Sequence, residues 1–174
     1  MISAIDGFNL IYKMDDLAEY MYTGDLPLAL QGLSRRLNEY SEGVQQKKIH
    51  NPRLPRQFIV FFDGKKEHGA STKREQQRNI EIRYSLELSA DHLIKDYVRK
   101  HPNPKAITLI TSDKQILKET KIYGVTQIKS EDAAQIINQA LAAMEIPPPE
   151  EEKPAGKLSP EEVEYWAQIF EKKK

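Results

Sequence analysis

Ala106-Ile107-Thr108-Leu109-Ile110-Thr111-Ser112-Asp113-Lys114-Gln115 is the stretch that decides the architecture. From Ala106 to Thr111 the residues are apolar or β-branched with no polar alternation, as in a strand buried on both faces, and such strands belong to parallel sheets covered by helices. Ser112-Asp113-Lys114-Gln115 then has the capping-box pattern that opens a helix. A buried strand running straight into a helix is the repeating unit of α/β proteins, and the same unit can be followed outward in both directions.

Upstream, Ile2–Asp6 reads as the first strand. Leu10, Met14, Leu17, Ala18 and Met21 mark one helix face after it, and Leu26, Leu30, Leu33, Leu37, Tyr40 and Val44 mark a second, at spacings of four and three. Phe58–Asp63 is the second strand. Gly64–Gln77 is too hydrophilic and Lys-rich for core and reads as an exposed loop or frayed helix. Ile80–Tyr84 gives a third strand, Ser89 caps a helix carrying Leu93, Ile94, Tyr97 and Val98, and Pro102 with Pro104 stops it. Downstream, Val125–Ile128 is a fifth strand, and Ala133, Ile137, Ala140 and Met144 line the last helix of the domain. The expected fold is α/β: about five mainly parallel strands flanked by helices.

Length and composition fit this plan. The 174 residues suffice for one core of ordinary size and a tail. The domain is placed at residues 1–144. Pro147-Pro148-Pro149 and the glutamates after it cannot bury a core, so 145–158 reads as an extended linker. Residues 159–172 read as an amphipathic helix with Ser159 as N-cap, Pro160 at its first position, and Val163, Trp166 and Phe170 on one face. A helix so short is marginal alone in water, and is expected to dock on its own domain or on a protein partner. With no cysteine, disulfides and Cys-based zinc sites are excluded. No signal peptide and no long apolar run is present, so no membrane association and a cytoplasmic location are expected.

Four aspartates carry the functional information. Asp6, Asp63, Asp91 and Asp113 each stand where a strand ends or the next helix begins. Ligands of open parallel sheets bind beyond the carboxyl ends of the strands, so these acids are expected to converge. Two like charges about 4 Å apart at an effective dielectric near 20 repel by roughly 4 kcal/mol, and proton uptake or a divalent cation must relieve that. Oxygen-only ligands favour Mg²⁺ or Mn²⁺. Asp6, Asp91 and Asp113 are the expected metal ligands, with Asp63 joining them in catalysis. Each has an ordinary structural role as well: Asp91 as a first-turn acid, Asp63 as a turn residue before Gly64. Asn9 can cap a helix starting at Leu10 or face substrate, and Ser112 can complete its capping box or face a phosphate. His68 and His92 are near enough in sequence to titrate beside the site.

Asp6-Gly7-Phe8-Asn9, Val60-Phe61-Phe62-Asp63-Gly64, Ser89-Ala90-Asp91 and Thr111-Ser112-Asp113, in this order, resemble the motifs of the NYN group of PIN-like nucleases, and within it the YacP-like bacterial proteins. The resemblance covers about residues 1–144. It implies a Rossmann-like PIN fold, Mg²⁺ or Mn²⁺ held by the acids, and endonucleolytic cleavage of RNA, in some members of messenger RNA on the ribosome. Asp6, Asp63, Asp91 and Asp113 match the family's acids, and Asn9 its polar residue after the first acid. One departure stands out, since His92 occupies the place where a second acid commonly follows the Ala-Asp motif. Lys47–Gln57 looks like a local elaboration.

The formal charge is zero, yet residues 35–83 hold twelve Lys and Arg against six Asp and Glu. A basic segment beside an acidic cluster suits a polyanion approaching a metal centre. Lys65, Lys66, Lys73, Arg74, Arg78 and Arg83 are the expected contacts to the RNA backbone, which would position a single strand without reading its sequence. A non-catalytic RNA- or ribosome-binding module of the same fold, and a DNA-directed nuclease, are the alternatives. Without a His pair at helical spacing a zinc hydrolase is disfavoured, and the glycines form no nucleotide-binding motif.

Overall fold

The structure, a computed structural model, describes residues 1–64, 72–85 and 88–145. Lys65, Lys66 and His68, the linker beyond Glu145 and the tail helix expected over 159–172 lie outside the described residues. The strands are β1 (Ile2–Asp6), β2 (Phe58–Asp63), β3 (Thr72–Gln77), β4 (Ile80–Ser85), β5 (Ile107–Ile110) and β6 (Thr126–Ile128). Helices are α1 (Gly7–Ile11), α2 (Asp15–Thr23), α3 (Leu26–Gln45), α4 (Ala90–Lys100), α5 (Lys114–Thr120) and α6 (Ser130–Glu145).

They form one six-stranded sheet in the order β3-β4-β2-β1-β5-β6, parallel throughout except for the β3–β4 pair. The chain leaves β1 toward β2 and β4, then crosses back over α4 to β5 on the other side of β1. That reversal opens a crevice between the carboxyl ends of β1 and β5, the place where open α/β sheets bind ligands.

Both sheet faces are covered, which explains the uninterrupted apolar runs. Ile5, Val60, Phe62, Ile82 and Ile110 face a core closed by Leu10, Leu17, Leu33, Leu37 and Ile137 from α1, α2, α3 and α6. Ala4, Ile59, Phe61, Ile107 and Leu109 face the opposite core, closed by Ile94 and Val98 of α4 and Ile116 of α5. The Lys47–Gln57 elaboration is pinned to α3 by the buried Tyr40 hydroxyl, which accepts from Leu54 N at 3.1 Å and donates to its carbonyl at 3.3 Å.

Three local expectations need correction. Thr72–Gln77 is a strand, not a loop or frayed helix: it pairs antiparallel with β4, with Arg74 opposite Arg83, after a two-residue turn in which Arg78 takes a left-handed φ of 53°. It is an edge strand, and edges carry charge to block pairing with other chains, so it lacks the apolar alternation that would reveal it. The single helix expected over Leu10–Met21 is two, α1 and α2, broken at Tyr12–Met14. Helix α5 is capped by Asp113 rather than Ser112, because Asp113 Oδ1 accepts from Gln115 N at 2.7 Å and Ile116 N at 3.0 Å.

Candidate active site at the carboxyl edge of β1 and β5

Asp6 is the last residue of β1 and lies level with Thr111 beyond β5, since Ile5 pairs with Ile110. Its two oxygens are used differently. Oδ1 accepts from Asn9 N at 3.3 Å and so caps α1, while Oδ2 accepts from the buried Thr111 hydroxyl at 2.9 Å. Thr111 Oγ1 accepts in turn from Asp113 N at 3.1 Å, so one hydroxyl ties the two central acids together. Asn9 does not cap a helix. It lies inside α1, and its Oδ1 accepts from Ser112 N at 3.1 Å, fixing α1 to the β5 loop.

Asp91 stands in the first turn of α4, whose N-cap Ser89 accepts from His92 N at 3.3 Å. Asp63 joins β2 to the same helix: its Oδ1 accepts from Ala90 N at 2.7 Å and from Ser85 Oγ at 3.2 Å. The two readings of these acids therefore coexist, because Asp6, Asp63 and Asp113 all hold backbone amides at helix starts.

The carboxylates also sense one another. Burial pushes the Asp6 carboxyl up, against the lowering effect of its Thr111 and Asn9 bonds, and the charges of Asp91 and Asp113 push it further. Burial raises Asp91 as well, followed by the charges of Asp113 and Asp63, with Lys95 opposing. All four acids expected from sequence thus interact at this one edge of the sheet.

Sequence reading missed part of the site. The Ser112 hydroxyl donates to Glu131 and accepts from Ser130 N at 2.9 Å, and Lys13 Nζ lies 3.3 Å from Glu131. The Ser112 hydrogen bond, with backbone and Lys13 contributions, pulls the Glu131 carboxyl down to about 2. The signal was present: Ile128-Lys129-Ser130-Glu131 is one more acid just after a strand.

Among the described residues, no group of three or more His, Asp or Glu side chains stands close enough to hold a metal ion as oriented here. The donors nonetheless fit an oxygen-preferring divalent cation in charge and chemistry. Asp6 and Asp91 are raised partly by neighbouring carboxylates, a strain that a cation relieves. Both hydrogen bonds to Asp113, and both to Asp63, fall on Oδ1, leaving Oδ2 without a partner among the described residues.

The basic residues are dispersed. Arg78 lies at the β3–β4 turn, at the opposite end of the sheet from the acids, and pairs with Glu42 at 2.7 Å. Lys73 pairs with Glu75 at 2.8 Å and sits over the Tyr84 ring. Arg74 and Arg83 share the other sheet face, beside α4.

Comparison with known proteins agrees with this architecture. Two crystal structures of Rae1 (YacP) from Bacillus subtilis resemble the chain, each with a TM-score of 0.59. One, at 22% identity, covers 99% of this chain and 93% of its own; the other, a tryptophan-to-leucine mutant at 17% identity, covers 83% and 76%. No curated protein matches the chain. A family model described as the YacP-like NYN domain matches residues 3–171, continuing past the linker expected at 145–158. With that match spanning nearly the whole sequence and the fold shared with the two Rae1 structures, the chain belongs to the YacP-like NYN family of PIN-like nuclease domains.

Proposed function

We propose that this protein is a metal-dependent endoribonuclease whose active site is the acidic edge between β1 and β5. The observation that carries the reading is the Thr111 hydroxyl, which bonds both the Asp6 carboxylate and the Asp113 amide at the sheet's point of reversal. Asp6, Asp91 and Asp113 would hold Mg²⁺ or Mn²⁺, with Asp63 and Glu131 completing the acidic rim. When bound, the cation supplies positive charge for the phosphoryl oxygens and the leaving group and makes a water nucleophilic. The chain's own residues do the positioning. Thr111 fixes Asp6 and Asp113 relative to each other, Asn9 holds the loop that carries Ser112, and Ser112 holds Glu131, which in turn pairs with Lys13.

The substrate in this reading is single-stranded RNA in the cytoplasm, in a ribosome-linked setting if the chain works as the family resemblance implies. The test is cleavage of end-labelled single-stranded RNA and DNA, with and without ribosomes, in Mg²⁺, Mn²⁺ and EDTA, comparing the parent with Asp6→Asn and Asp113→Asn. Cleavage of RNA that needs the cation and vanishes in both variants is expected. Equal products from parent and variants would assign the activity to contamination and sink the proposal. A second reading, a non-catalytic RNA-binding module, draws support from the capping roles of three acids and from His92; it requires salt-sensitive RNA binding with no cleavage in either metal.

A further inference from the structure

We propose that the groove between the β3–β4 hairpin and the second half of α4 is a separate contact site for a flanking segment of single-stranded RNA. It deepens the nuclease reading, taking as its occupant the strand cleaved at the acidic edge. The groove has a volume of about 370 Å³, and Phe61, Arg74, Arg83, Tyr97, Lys100 and His101 are prominent in its walls.

Its aromatic wall is built in advance. The Arg83 guanidinium lies 4.9 Å from the Tyr97 ring centre and 5.6 Å from that of Phe61. It is paired with Glu81 at 2.7 Å, and its side chain is only 16% exposed. Tyr97 meets His101 edge to face at 5.6 Å. A ring held between an arginine and a histidine offers a base a fixed surface, with little side-chain entropy left to lose on binding.

The charge is the second observation. Arg74 lies directly opposite Arg83 in the antiparallel pair, and like charges in that position destabilise a sheet. Arg83 has Glu81, but Arg74 has no partner among the described residues, so an anion in the groove would relieve the pair. Three cations, Arg74, Arg83 and Lys100, line the groove against one acid, Asp96. Asp96 is already engaged by Arg99 and by Lys100 at 2.7 Å. Cationic grooves with stacking rings are the common means of holding single strands without regard to sequence; an acidic peptide would use the charge but not the rings.

Position links the groove to the chemistry. Helix α4 begins with Asp91 in its first turn and ends beside His101, about 15 Å away at 1.5 Å per residue. A strand lying along α4 runs from the acidic edge into the groove, so nucleotides to one side of the cut add affinity.

The test is fluorescence anisotropy of a labelled single-stranded RNA with the full-length protein in EDTA, where no cleavage occurs, across a salt series. Arg74→Ala/Lys100→Ala should weaken binding about tenfold or more and reduce the salt slope by about 1.4, at roughly 0.7 per lost phosphate contact. Arg35→Ala/Lys48→Ala, the same charge change on the opposite side of the sheet, should bind as the parent does. Tyr97→Leu should lose at least about fivefold, the lower end of a base-stacking contribution, and Tyr97→Phe should restore it; melting curves check that each variant folds. Parent-like binding by Arg74→Ala/Lys100→Ala would overturn the proposal. So would an abasic strand binding as tightly as RNA, or polyglutamate displacing RNA at equal charge, either of which would leave an anion site without base contact. If the groove variant binds weakly while the parent cleaves nothing in Mn²⁺, the groove stands and the nuclease reading falls. If cleavage depends on Asp6 and is indifferent to the groove, the reverse holds.

Discussion

Asp6 caps α1, and in the proposed function it has a second job that responds differently to one substitution. As an N-cap it can be replaced by Asn at almost no cost, since the two residues cap equally well, whereas as a metal ligand it cannot. Asp6→Asn should therefore cut cleavage by more than about a hundredfold, given that even outer partners of metal ligands are worth ten- to a hundredfold. The effect of pH on stability has a definite sign. Because the folded-state pKa of Asp6 is raised above 3.8, its favourable contribution is complete below that pH and is lost as pH rises through the folded value. Without metal, Asp6→Asn should melt at the same temperature as the parent near pH 3.5 and above it at pH 7, by up to about 4 °C, the response of a domain this size to ~1 kcal/mol. A variant that melts lower at pH 7 would show that the charge, not the cap, is what the fold needs. Thr111→Val tests the link between the acids. It removes the donor to Asp6 and leaves the Asp113 amide without its acceptor, so activity should fall about ten- to a hundredfold and stability by about 1–3 kcal/mol, read by kinetics and urea melts.

At the scale of elements, the strands and helices whose burial dictates composition were legible from sequence, and the charged edge strand β3 was not. β2 and β5 announce themselves because both faces are covered, and α3 because its apolar stripe lies on one core. β3 was hidden because none of its residues joins a core, whereas β6, the other edge, declares itself through Val125 and Ile128. The α1–α2 break was hidden because Leu10, Met14 and Leu17 stay buried on either side of it. That the four acids stand at the carboxyl edge of the sheet followed from topology alone, but which amide each one caps depends on loop geometry that residue spacing does not encode. Gly7 is a further case. A Cβ there would come within 2.2 Å of the buried Phe62 ring, so the glycine lets α1 turn directly off β1 against that ring. Gly7→Ala should destabilise the fold by about 1–3 kcal/mol, the usual cost of overpacking, and disturb Asp6 with it; an unchanged urea midpoint would contradict this.

For the molecule as a whole, charge is arranged by place rather than by sum. Acids meet at the β1–β5 edge and cations line the α4 groove, within a chain of zero formal charge. Saturating Mn²⁺ should relieve the acidic edge and raise the melting temperature at pH 7 by roughly 5–10 °C, from ~2.7 kcal/mol of linkage at a hundredfold excess over Kd and 2–4 °C per kcal/mol. That gain should vanish below pH 3.8, where Asp6 and Asp91, both raised above that value, are protonated. Absence of any metal-dependent shift at neutral pH would remove the acids' expected role. Deleting residues 147–174 tests the expectation that Trp166 and Phe170 serve a partner: the domain's melting transition should hold within about 2 °C, less than ~1 kcal/mol, while association with that partner weakens. A collapse of the transition would assign the tail to the core.

The double duty that the proposed function gives the site aspartates also shapes how such a protein can change over generations. Asp and Asn codons differ by one base, and both residues close the same helix starts at Asp6 and Asp113. If the proposed function holds, a single transition would silence cleavage while leaving a folded protein that still binds its strand, so a lineage would pass from cutter to binder in one step without crossing a valley of unfolded intermediates.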